Sequence, residues 1–345
     1  MEILSNIMME WGILVQGTMK AVRLNGYGGA SDLELVETDI PQLAPGEVLI
    51  KVLASSINPS DLLFLEGKYG VKLPLPCLAG VEGSGLVVAA GSGFAARRLK
   101  GKRVTFASQN CGAWAEYVNV SALGCIVLPD NVSDEQGAVF FVNPASAYAL
   151  LSITKKSRVK AVVHTAGASA LGKVLIQLAK GMGITVISIV RREEQAETLK
   201  QLGEQHVLVS TAAGFDEELQ VRCAELGAAV CFDAVGGELA GRVLTAMPDG
   251  STLYQYGLLS GEKTTADAED LVFHRKSIQG FWMSDWVKSQ SILKLLAMQS
   301  TLTKLIGSSI QTDIHRRFPL EEAAEAAHYY SSHMSAGKVL LVPGK

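Results

Sequence analysis

The pattern of apolar and polar positions is most regular between residues 159 and 190. Residues 159–165 and 184–190 are apolar runs that predict two buried strands. The turn at 166–172 consists mostly of small residues, and the segment after it has apolar residues at helical spacing, Leu171, Val174, Leu175 and Leu178. Strand, tight turn, helix and strand, in this order, predict the first half of a dinucleotide-binding unit.

The pattern of apolar and polar residues over the rest of the chain predicts two kinds of organisation. Residues 19 to about 140 have the alternation and the glycine punctuation of β-structure, whereas 144 to about 285 alternate between strands and helices. Helices are predicted at about 193–202, at about 215–226, near 238–246, at 286–306 and near Leu320, and strands at 206–209, 229–232, 252–256, 310–317 and 338–342. We therefore predict an α/β protein in which a doubly wound parallel sheet at 144–306 is inserted into a split β-rich domain at 19–143 and 307–345. Residues 1–18 are an extension of unassigned role.

Two cations stand at the end of the second strand. Arg191 and Arg192 occupy the position where an acidic residue would hold a ribose 2′-hydroxyl. No acidic residue stands between the end of this strand and Glu193. A guanidinium group there pairs with a 2′-phosphate, so the sequence favours NADPH over NADH. The alternative is that both arginines are the solvated start of the next helix.

The remaining cofactor contacts follow from the rule that ligands bind at the carboxyl ends of parallel strands. The turn lacks the strict G-x-G-x-x-G pattern, with Ser169 at a position where glycine would allow the closest approach. We expect the pyrophosphate at the backbone N–H groups of Ser169, Ala170 and Leu171. Val235 and Gly236 are expected near the ribose or the adenine, and Tyr256 and Gly257 near the nicotinamide. Phe281 and Trp282 are also assigned to the cofactor site, although with Trp286 they could instead form a packed aromatic cluster.

Composition limits the other possibilities. The chain has 345 residues, a net charge of −3 and five scattered cysteines, with no apolar run of transmembrane length. These features predict no nucleic-acid partner, no membrane partner and reduced thiols in the cytoplasm. Residues 1–18 contain Glu2 and Glu10 and lack a basic start, so they do not resemble a signal peptide. His164, inside the first strand of the nucleotide unit, is interpreted as a satisfied core residue rather than a catalyst.

Residues 80–91, Gly-Val-Glu-Gly-Ser-Gly-Leu-Val-Val-Ala-Ala-Gly, resemble the G-H-E-x-x-G-x-V-x-x-x-G signature of the medium-chain dehydrogenases/reductases. Residues 45–52 and 337–339 are also similar to that superfamily. The resemblance implies that the split β-rich domain is GroES-like and catalytic. Val81 stands where zinc-dependent members have a histidine ligand, and residues 55–58 lack their cysteine. The four-cysteine structural site is absent too, since only Cys111 and Cys125 lie near its usual position. The resemblance is therefore to a zinc-free branch, and we predict no metal.

Within that branch the chain resembles two subfamilies. Residues 57–61 and 67–69 are similar to both quinone oxidoreductases and 2-enoyl thioester reductases, and residues 142–148, 254–257 and 280–282 are closer to the enoyl reductases. Without a metal to polarise a carbonyl, the chemistry that remains is hydride donation to an electron-poor acceptor. The resemblance therefore implies an NADPH-dependent reductase of a quinone or an α,β-unsaturated carbonyl. The alternatives are a 2-enoyl thioester reductase and a non-catalytic NADPH-binding protein.

The resemblance also assigns roles to individual residues. Tyr69 matches a tyrosine that lies over the nicotinamide and hydrogen-bonds the substrate carbonyl, although it could merely form the wall of a pocket. Asn58 matches a residue at the nicotinamide end of the cofactor. Asn143 is expected to line the cofactor cleft or to cap the helix that follows it. The resemblance further implies a homodimer, with the aromatic residues after the sixth strand near its interface.

Overall fold

A computed structural model describes residues 17–108, 112–157, 159–306 and 311–344, without the side chains of 155–157. The chain divides into two compact units. The first unit runs up to Val142 and resumes at Gln299, and the second comprises Asn143–Met298. Three predicted features fall wholly or partly outside the described residues, namely the extension up to residue 16, Cys111 and Ile310.

The strands of the described residues are, in chain order, β1 (Thr18–Leu24), β2 (Leu33–Asp39), β3 (Glu47–Ser56), β4 (Cys77–Leu78), β5 (Glu82–Ala90), β6 (Arg103–Ala107), β7 (Tyr117–Ser121), β8 (Cys125–Val127), β9 (Ala161–His164), β10 (Thr185–Val190), β11 (Val207–Val209), β12 (Val230–Asp233), β13 (Thr252–Gln255), β14 (Ser277–Gly280), β15 (Ile314–Phe318) and β16 (Lys338–Leu341). The helices are α1 (Pro59–Leu65), α2 (Phe94–Leu99), α3 (Asp134–Ala138), α4 (Val142–Ser157), α5 (Ala170–Gly181), α6 (Glu193–Gln201), α7 (Phe215–Leu226), α8 (Gly237–Ala246), α9 (Ala268–Val272), α10 (Met283–Ser289), α11 (Ile292–Ile306) and α12 (Ala323–His333). Short 3-10 helices cover Ala30–Asp32, Ala122–Gly124 and Leu320–Glu322.

The first unit is β-rich. Among its described residues, β2, β1 and β4 form one small antiparallel sheet, and a larger sheet has the order β15-β16-β3-β5-β6-β8, with β7 also paired to β3. The C-terminal strand β16 pairs with β3 through Leu340 opposite Ser56 and Leu341 opposite Ser55. Residues from both ends of the chain therefore complete one sheet. Apolar side chains of both chain segments share its core, including fully buried Trp114 and Phe318.

The second unit contains a parallel sheet in the order β11-β10-β9-β12-β13-β14. Every strand pair in it is parallel, and the order of connection reverses between β9 and β12, so this is the doubly wound arrangement. Alternate residues of β10 face opposite ways: Ile187 and Ile189 join the core beneath α7 and α8, whereas Val190 packs with residues of α6. Helices thus cover both faces. The predicted architecture, a doubly wound parallel sheet inserted into a split β-rich domain, is confirmed.

One predicted helix is wrong. Residues 286–306 were expected to form a single helix, but α10 ends at Ser289 and α11 begins at Ile292. Gln290 between them has an extended backbone, with φ −91° and ψ 148°. The N–H groups of Lys294 and Leu295 donate to the carbonyl oxygen of Ser291 (3.0 and 3.2 Å), which starts a new hydrogen-bonded turn. No proline or glycine marks this break, so composition alone did not predict it.

Candidate functional site

The turn after β9 is built to leave two backbone donors open. Ser169 is the N-cap of α5, and its Oγ accepts a hydrogen bond from the N–H of Gly172 (3.0 Å). The N–H of Ser169 itself donates to the carbonyl oxygen of Ala166 (2.9 Å), so it is used inside the turn rather than left for a ligand. Within the described chain, the N–H groups of Ala170 and Leu171 have no protein acceptor. They point along the positive end of the helix dipole, which is a suitable site for an anion.

Gly172 brings this turn against its own helix. A Cβ built at Gly172 would lie 2.1 Å from the carbonyl oxygen of Gly167 and 2.9 Å from that of Ala166. No larger residue fits without moving the turn. Ala166 takes the left-handed conformation, with φ 53°, and the N–H of Gly167 donates to Ile189 at the end of β10 (2.9 Å). Glycine is therefore essential at position 172, where the backbone approaches most closely.

The corner between β10 and α6 presents the two predicted arginines to solvent. Gln195 accepts hydrogen bonds from the backbone N–H groups of Arg191 (3.1 Å) and Arg192 (3.2 Å), which fixes the corner. Among the described residues, the guanidinium group of Arg192 has one loose ion pair, with its Nε 3.6 Å from the carboxylate of Glu194. In the described residues the Arg191 side chain, which is exposed, has no hydrogen-bond or ion-pair partner. Arg191 is therefore a cation available to a ligand at the carboxyl end of β10.

A buried hydrogen-bond cluster joins the carboxyl ends of β9 and β12. Thr165 Oγ1 donates to Asp233 Oδ1 (2.6 Å) and accepts from the N–H of Ala234 (2.8 Å). The Asp233 carboxylate also accepts from the N–H groups of Val235 (3.1 Å) and Gly236 (2.8 Å). Neither Thr165 nor Asp233 is exposed at all. The loop that holds the predicted residues Val235 and Gly236 is therefore tied rigidly to the sheet.

The loop after β13 is fastened to the same place. The N–H groups of Tyr256 (2.8 Å) and Gly257 (3.3 Å) both donate to the carbonyl oxygen of Asp233. A Cβ at Gly257 would lie 2.5 Å from the carbonyl oxygen of Ala234, so only glycine allows this approach. Gly236 has φ 74°, a left-handed conformation that also suits glycine.

A cavity of about 650 Å³ opens beside this loop. Its lining is Gln255, Tyr256, Gly257, Leu258, Gly280, Phe281, Trp282, Asp285, Trp286 and Ser289. The second unit thus brings Tyr256, Gly257, Phe281 and Trp282 of the predicted site to one cavity. Trp286 is held within the same unit, because its Nε1 donates to Ser152 Oγ (3.2 Å) and its ring meets that of Tyr148 edge-on at 6.4 Å.

His164 is a core residue, as predicted from the sequence. The prediction that its hydrogen-bonding groups are all satisfied is wrong. Its Nε2 lies 2.8 Å from the hydroxyl oxygen of Tyr256, while its buried Nδ1 has no hydrogen-bond partner among the described residues. Burial lowers the pKa of His164 to about 3, so its ring is neutral at physiological pH. The pKa of Tyr256 is raised, chiefly by burial and then by the negative charge of Asp233.

In the first unit, Asn58 belongs to a buried polar cluster. Its Nδ2 donates to Ser56 Oγ (3.1 Å) and Glu82 Oε2 (2.9 Å), and its Oδ1 accepts from Lys338 Nζ. Only 1% of Asn58 is exposed. Its side-chain donors and acceptor are engaged within the unit, so it is positioned by neighbours rather than extended toward a ligand.

Two buried charges stand close to Asn58. Asp61 accepts a hydrogen bond from the backbone N–H of Asn58 (2.7 Å), which starts α1. Burial raises the pKa of the Asp61 carboxyl to about 7, an effect that Lys338 and the backbone hydrogen bond partly oppose. Burial also lowers the pKa of Lys338, which the carboxylates of Glu82 and Asp61 partly offset. The protonation states of Asp61 and Lys338 are therefore coupled.

The other predicted residues lie as follows. Tyr69 is half-buried against the core of the first unit. Asn143 lies inside the first turn of α4, which begins at Val142, so it does not cap that helix. Its Nδ2 is buried and has no partner among the described residues, which leaves a donor for a ligand or a water.

Two further features were sought in the described residues, namely clusters of metal ligands and long apolar helices. No group of three or more His, Cys, Asp or Glu side chains gathers in them where a metal ion could bind. In the described part of the chain, no helix combines the length and apolar character that crossing a bilayer requires. Cys77, Cys125, Cys223 and Cys231 are free thiols, and burial raises the pKa of each.

Four residues of these clusters were not singled out from the sequence: Thr165, Asp233, Glu82 and Lys338. The available signal for Thr165 and Asp233 was that each polar residue closes an apolar strand. For Glu82 and Lys338 it was their place in the two family-like strings at 80–91 and 337–339. Their roles depend on which strands are neighbours, which those strings do not reveal.

Each of the two units contains a segment that matches a known family model. Residues 44–130 match the model of the alcohol dehydrogenase GroES-like domain, and residues 170–298 match the model described as zinc-binding dehydrogenase. A solved structure from Mesorhizobium loti, named as an NADPH:quinone reductase, is 36% identical, with a TM-score of 0.80 over 96% of this chain and 100% of that one.

Two further relatives extend the comparison. The mitochondrial enoyl-[acyl-carrier-protein] reductase of Xenopus tropicalis is 31% identical over 75% of this chain and 75% of its own length. A mycobacterial protein solved in complex with NADPH is 28% identical, with a TM-score of 0.78 over 94% of this chain and 100% of that one.

Proposed function

The chain belongs to the medium-chain dehydrogenase/reductase superfamily, in its zinc-free branch, and from that premise we propose that it is an NADPH-dependent reductase. Its acceptor is a quinone or an alkene activated by a conjugated carbonyl. Val81 cannot ligate a metal, although one matching family model is described as zinc-binding. The acceptor must therefore already be electron-poor, because the zinc site that polarises a carbonyl elsewhere in the superfamily lacks its ligands here.

The observation that carries the proposal is the free Arg191 guanidinium beside a helix terminus with open donors. The N–H groups of Ala170 and Leu171 would hold the pyrophosphate of NADPH, and Arg191 and Arg192 its 2′-phosphate. The relatives support the cofactor, since one is named as an NADPH:quinone reductase and another was solved with NADPH. When bound, NADPH supplies the hydride, and the protein supplies orientation and exclusion of water.

The roles of the first unit follow from its polar groups. Tyr69 would donate a hydrogen bond from its phenol O–H to the carbonyl oxygen of the acceptor, where negative charge would develop during reduction. Asn58, engaged by Glu82, Ser56 and Lys338, would act as a positioning residue for the nicotinamide end of the site. The buried, unpartnered Nδ2 of Asn143 would donate to the cofactor.

The test is an NADPH-oxidation screen with quinones, enones and 2-enoyl thioesters, with NADH run in parallel. We expect consumption of NADPH with at least one of these acceptor classes and a lower rate with NADH. No consumption with any class, despite tight NADPH binding, would instead support the non-catalytic NADPH-binding alternative.

A 2-enoyl thioester reductase is the second candidate. The Xenopus tropicalis relative is an enoyl-[acyl-carrier-protein] reductase, and residues 254–257 and 280–282 resemble that subfamily. In the same screen this reading predicts a higher kcat/KM for 2-enoyl thioesters than for quinones. A preference for quinones would reject it and leave the first proposal intact.

The quaternary state and compartment belong to the same proposal. We infer a homodimer by analogy with the family, and a cytoplasmic location from the free thiols. Light scattering of the purified protein and fractionation of cells would test these two points.

A further inference from the structure

His164 and Tyr256 form a buried pair in the second unit. His164 Nε2 and the Tyr256 hydroxyl oxygen are 2.8 Å apart, and the two rings are nearly parallel, with 7° between their planes. His164 is not exposed at all, whereas Tyr256 is partly exposed and lines the cavity of about 650 Å³. The bond therefore connects the sheet interior with a cavity wall.

The pair has more donor hydrogens than its shared hydrogen bond can use. A neutral His164 has one ring N–H, and Tyr256 has one O–H, so the pair holds two donor hydrogens. Only one of them can lie in the shared hydrogen bond. His164 Nδ1 has no partner among the described residues, and no other hydrogen bond of Tyr256 Oη occurs there. One donor hydrogen of a buried pair is left over, which is uncommon in folded proteins.

The two possible arrangements differ in cost. If Tyr256 donates to Nε2, the leftover hydrogen is on Nδ1, sealed inside the sheet. If Nε2–H donates to Tyr256, Nδ1 keeps only an unused lone pair, and an unused buried acceptor is tolerated better than an unused donor. Tyr256 lines the cavity and His164 does not, so of the two donors only that of Tyr256 belongs to a residue in the cavity wall. The second arrangement is therefore favoured.

We propose that the Tyr256 hydroxyl donates a hydrogen bond to a carbonyl oxygen of a ligand in this cavity, and that His164 is the positioning residue that holds the phenol for it. This inference rests on the proposed reductase function for the identity of that ligand. The carbonyl could belong to the carboxamide of the cofactor or to the acceptor. A neutral oxygen fits the site, because the rest of the lining is largely aromatic or apolar and its one charged side chain is the Asp285 carboxylate.

The experiment compares Tyr256→Phe with two variants of His164. His164→Gln keeps an N–H donor near the Nε2 position, and His164→Leu removes it. Tyr254→Phe is the matched control, because Tyr254 stands two residues earlier on β13 and its hydroxyl makes no hydrogen bond among the described residues. Each variant is measured for NADPH dissociation constant by fluorescence titration, and for kcat and KM with the best acceptor.

Loss of one neutral hydrogen bond weakens binding about 3- to 10-fold. In Tyr256→Phe, such a loss in NADPH affinity assigns the carbonyl to the cofactor. An equal loss in kcat/KM with unchanged NADPH affinity assigns it to the acceptor. His164→Leu should reproduce the loss and His164→Gln should restore most of it. If the Tyr256→Phe variant had the same NADPH dissociation constant and the same kcat/KM as the native protein, the proposal would be overturned.

The tautomer of His164 gives a readout independent of activity. Long-range ¹H–¹⁵N spectra of the native protein, with and without NADPH, should show the proton on Nε2. A proton on Nδ1 would overturn the proposal and would indicate a buried water near Ser188 Oγ, which also lacks a partner and lies on the neighbouring strand. If the native protein binds no NADPH, the proposed function fails, while the tautomer still decides the arrangement of the pair.

Discussion

The hydroxyl of Thr165 and the carboxylate of Asp233, at the ends of neighbouring strands, are joined by a 2.6 Å hydrogen bond that fixes the loop after β12. Thr165→Val should remove this donor and leave the N–H of Ala234 without its acceptor. We expect a loss of about 2 to 4 kcal/mol in the free energy of unfolding, and weaker NADPH binding. Denaturant unfolding and titration measure both.

Thr165→Ser is the control for that change, because it keeps the hydroxyl. It should retain most of the stability and the NADPH affinity. If the valine and serine variants were equally stable, the hydroxyl would not be what secures the loop.

Gly172 tests the backbone cradle at the start of α5. In Gly172→Ala the new methyl would lie 2.1 Å from the Gly167 carbonyl oxygen, so the turn must shift. We expect a loss of about 1 to 3 kcal/mol in stability and a fall of about 10-fold or more in NADPH affinity. Gly181→Ala, in the same helix but with open space around the new atom, should leave NADPH affinity unchanged and should not lower stability. Equal NADPH affinity for the two variants would contradict the account.

Tyr69 tests the proposed donor in the first unit. Tyr69→Phe should lower kcat/KM about 10- to 100-fold, because a donor to developing negative charge is lost, while the NADPH dissociation constant stays the same. Tyr27→Phe is the control: its hydroxyl donates to the Leu73 carbonyl oxygen (2.8 Å), so its loss should affect stability alone. Equal turnover of native and Tyr69→Phe proteins with both quinones and enoyl thioesters would leave Tyr69 as a pocket wall.

The buried carboxyl of Asp61 makes stability depend on pH. Its pKa is about 7 in the folded protein against 3.8 when free, so between these values the native state holds a proton that the unfolded state releases. Its contribution therefore falls as pH rises from about 4 to about 7, by at most about 1.4 kcal/mol per pH unit. The difference in unfolding free energy between native protein and Asp61→Asn should decline over this window.

Urea unfolding at a series of pH values measures this difference. Ser60→Ala, which changes no titratable group, should give a flat difference from the native protein. An increase with pH in the Asp61→Asn comparison would mean that the ionised carboxylate is the favoured form in the fold.

Local patterns predicted much of the fold. The helix at Phe215–Leu226 lies where the sequence predicted one, at about 215–226, and it is bordered by Gly214 and Gly227, which both have left-handed conformations. The break at Gln290 was not predictable, since it lies in a polar stretch without proline or glycine. Helix breaks of this kind are decided by packing of the flanking segments rather than by composition.

Some residues of the candidate site were predictable from the sequence, and others were not. Arg191, Arg192 and the turn at 166–172 are contiguous with the strand and helix that they connect, so the sequence could mark them. Pairs such as His164 with Tyr256 are 92 positions apart and depend on strand order. Which hydrogen-bond groups remain unused, such as Nδ1 of His164 and Nδ2 of Asn143, is decided only when all neighbours are known.

The most direct test of the central claim is an equilibrium titration of the native protein with NADPH and with NADH. Because the Arg191 side chain has no hydrogen-bond or ion-pair partner within the described chain, its guanidinium group should bind the 2′-phosphate that only NADPH carries. A charge-assisted hydrogen bond of about 1.5 to 3 kcal/mol predicts that NADPH binds roughly 10- to 100-fold more tightly. Equal or tighter binding of NADH would contradict the account.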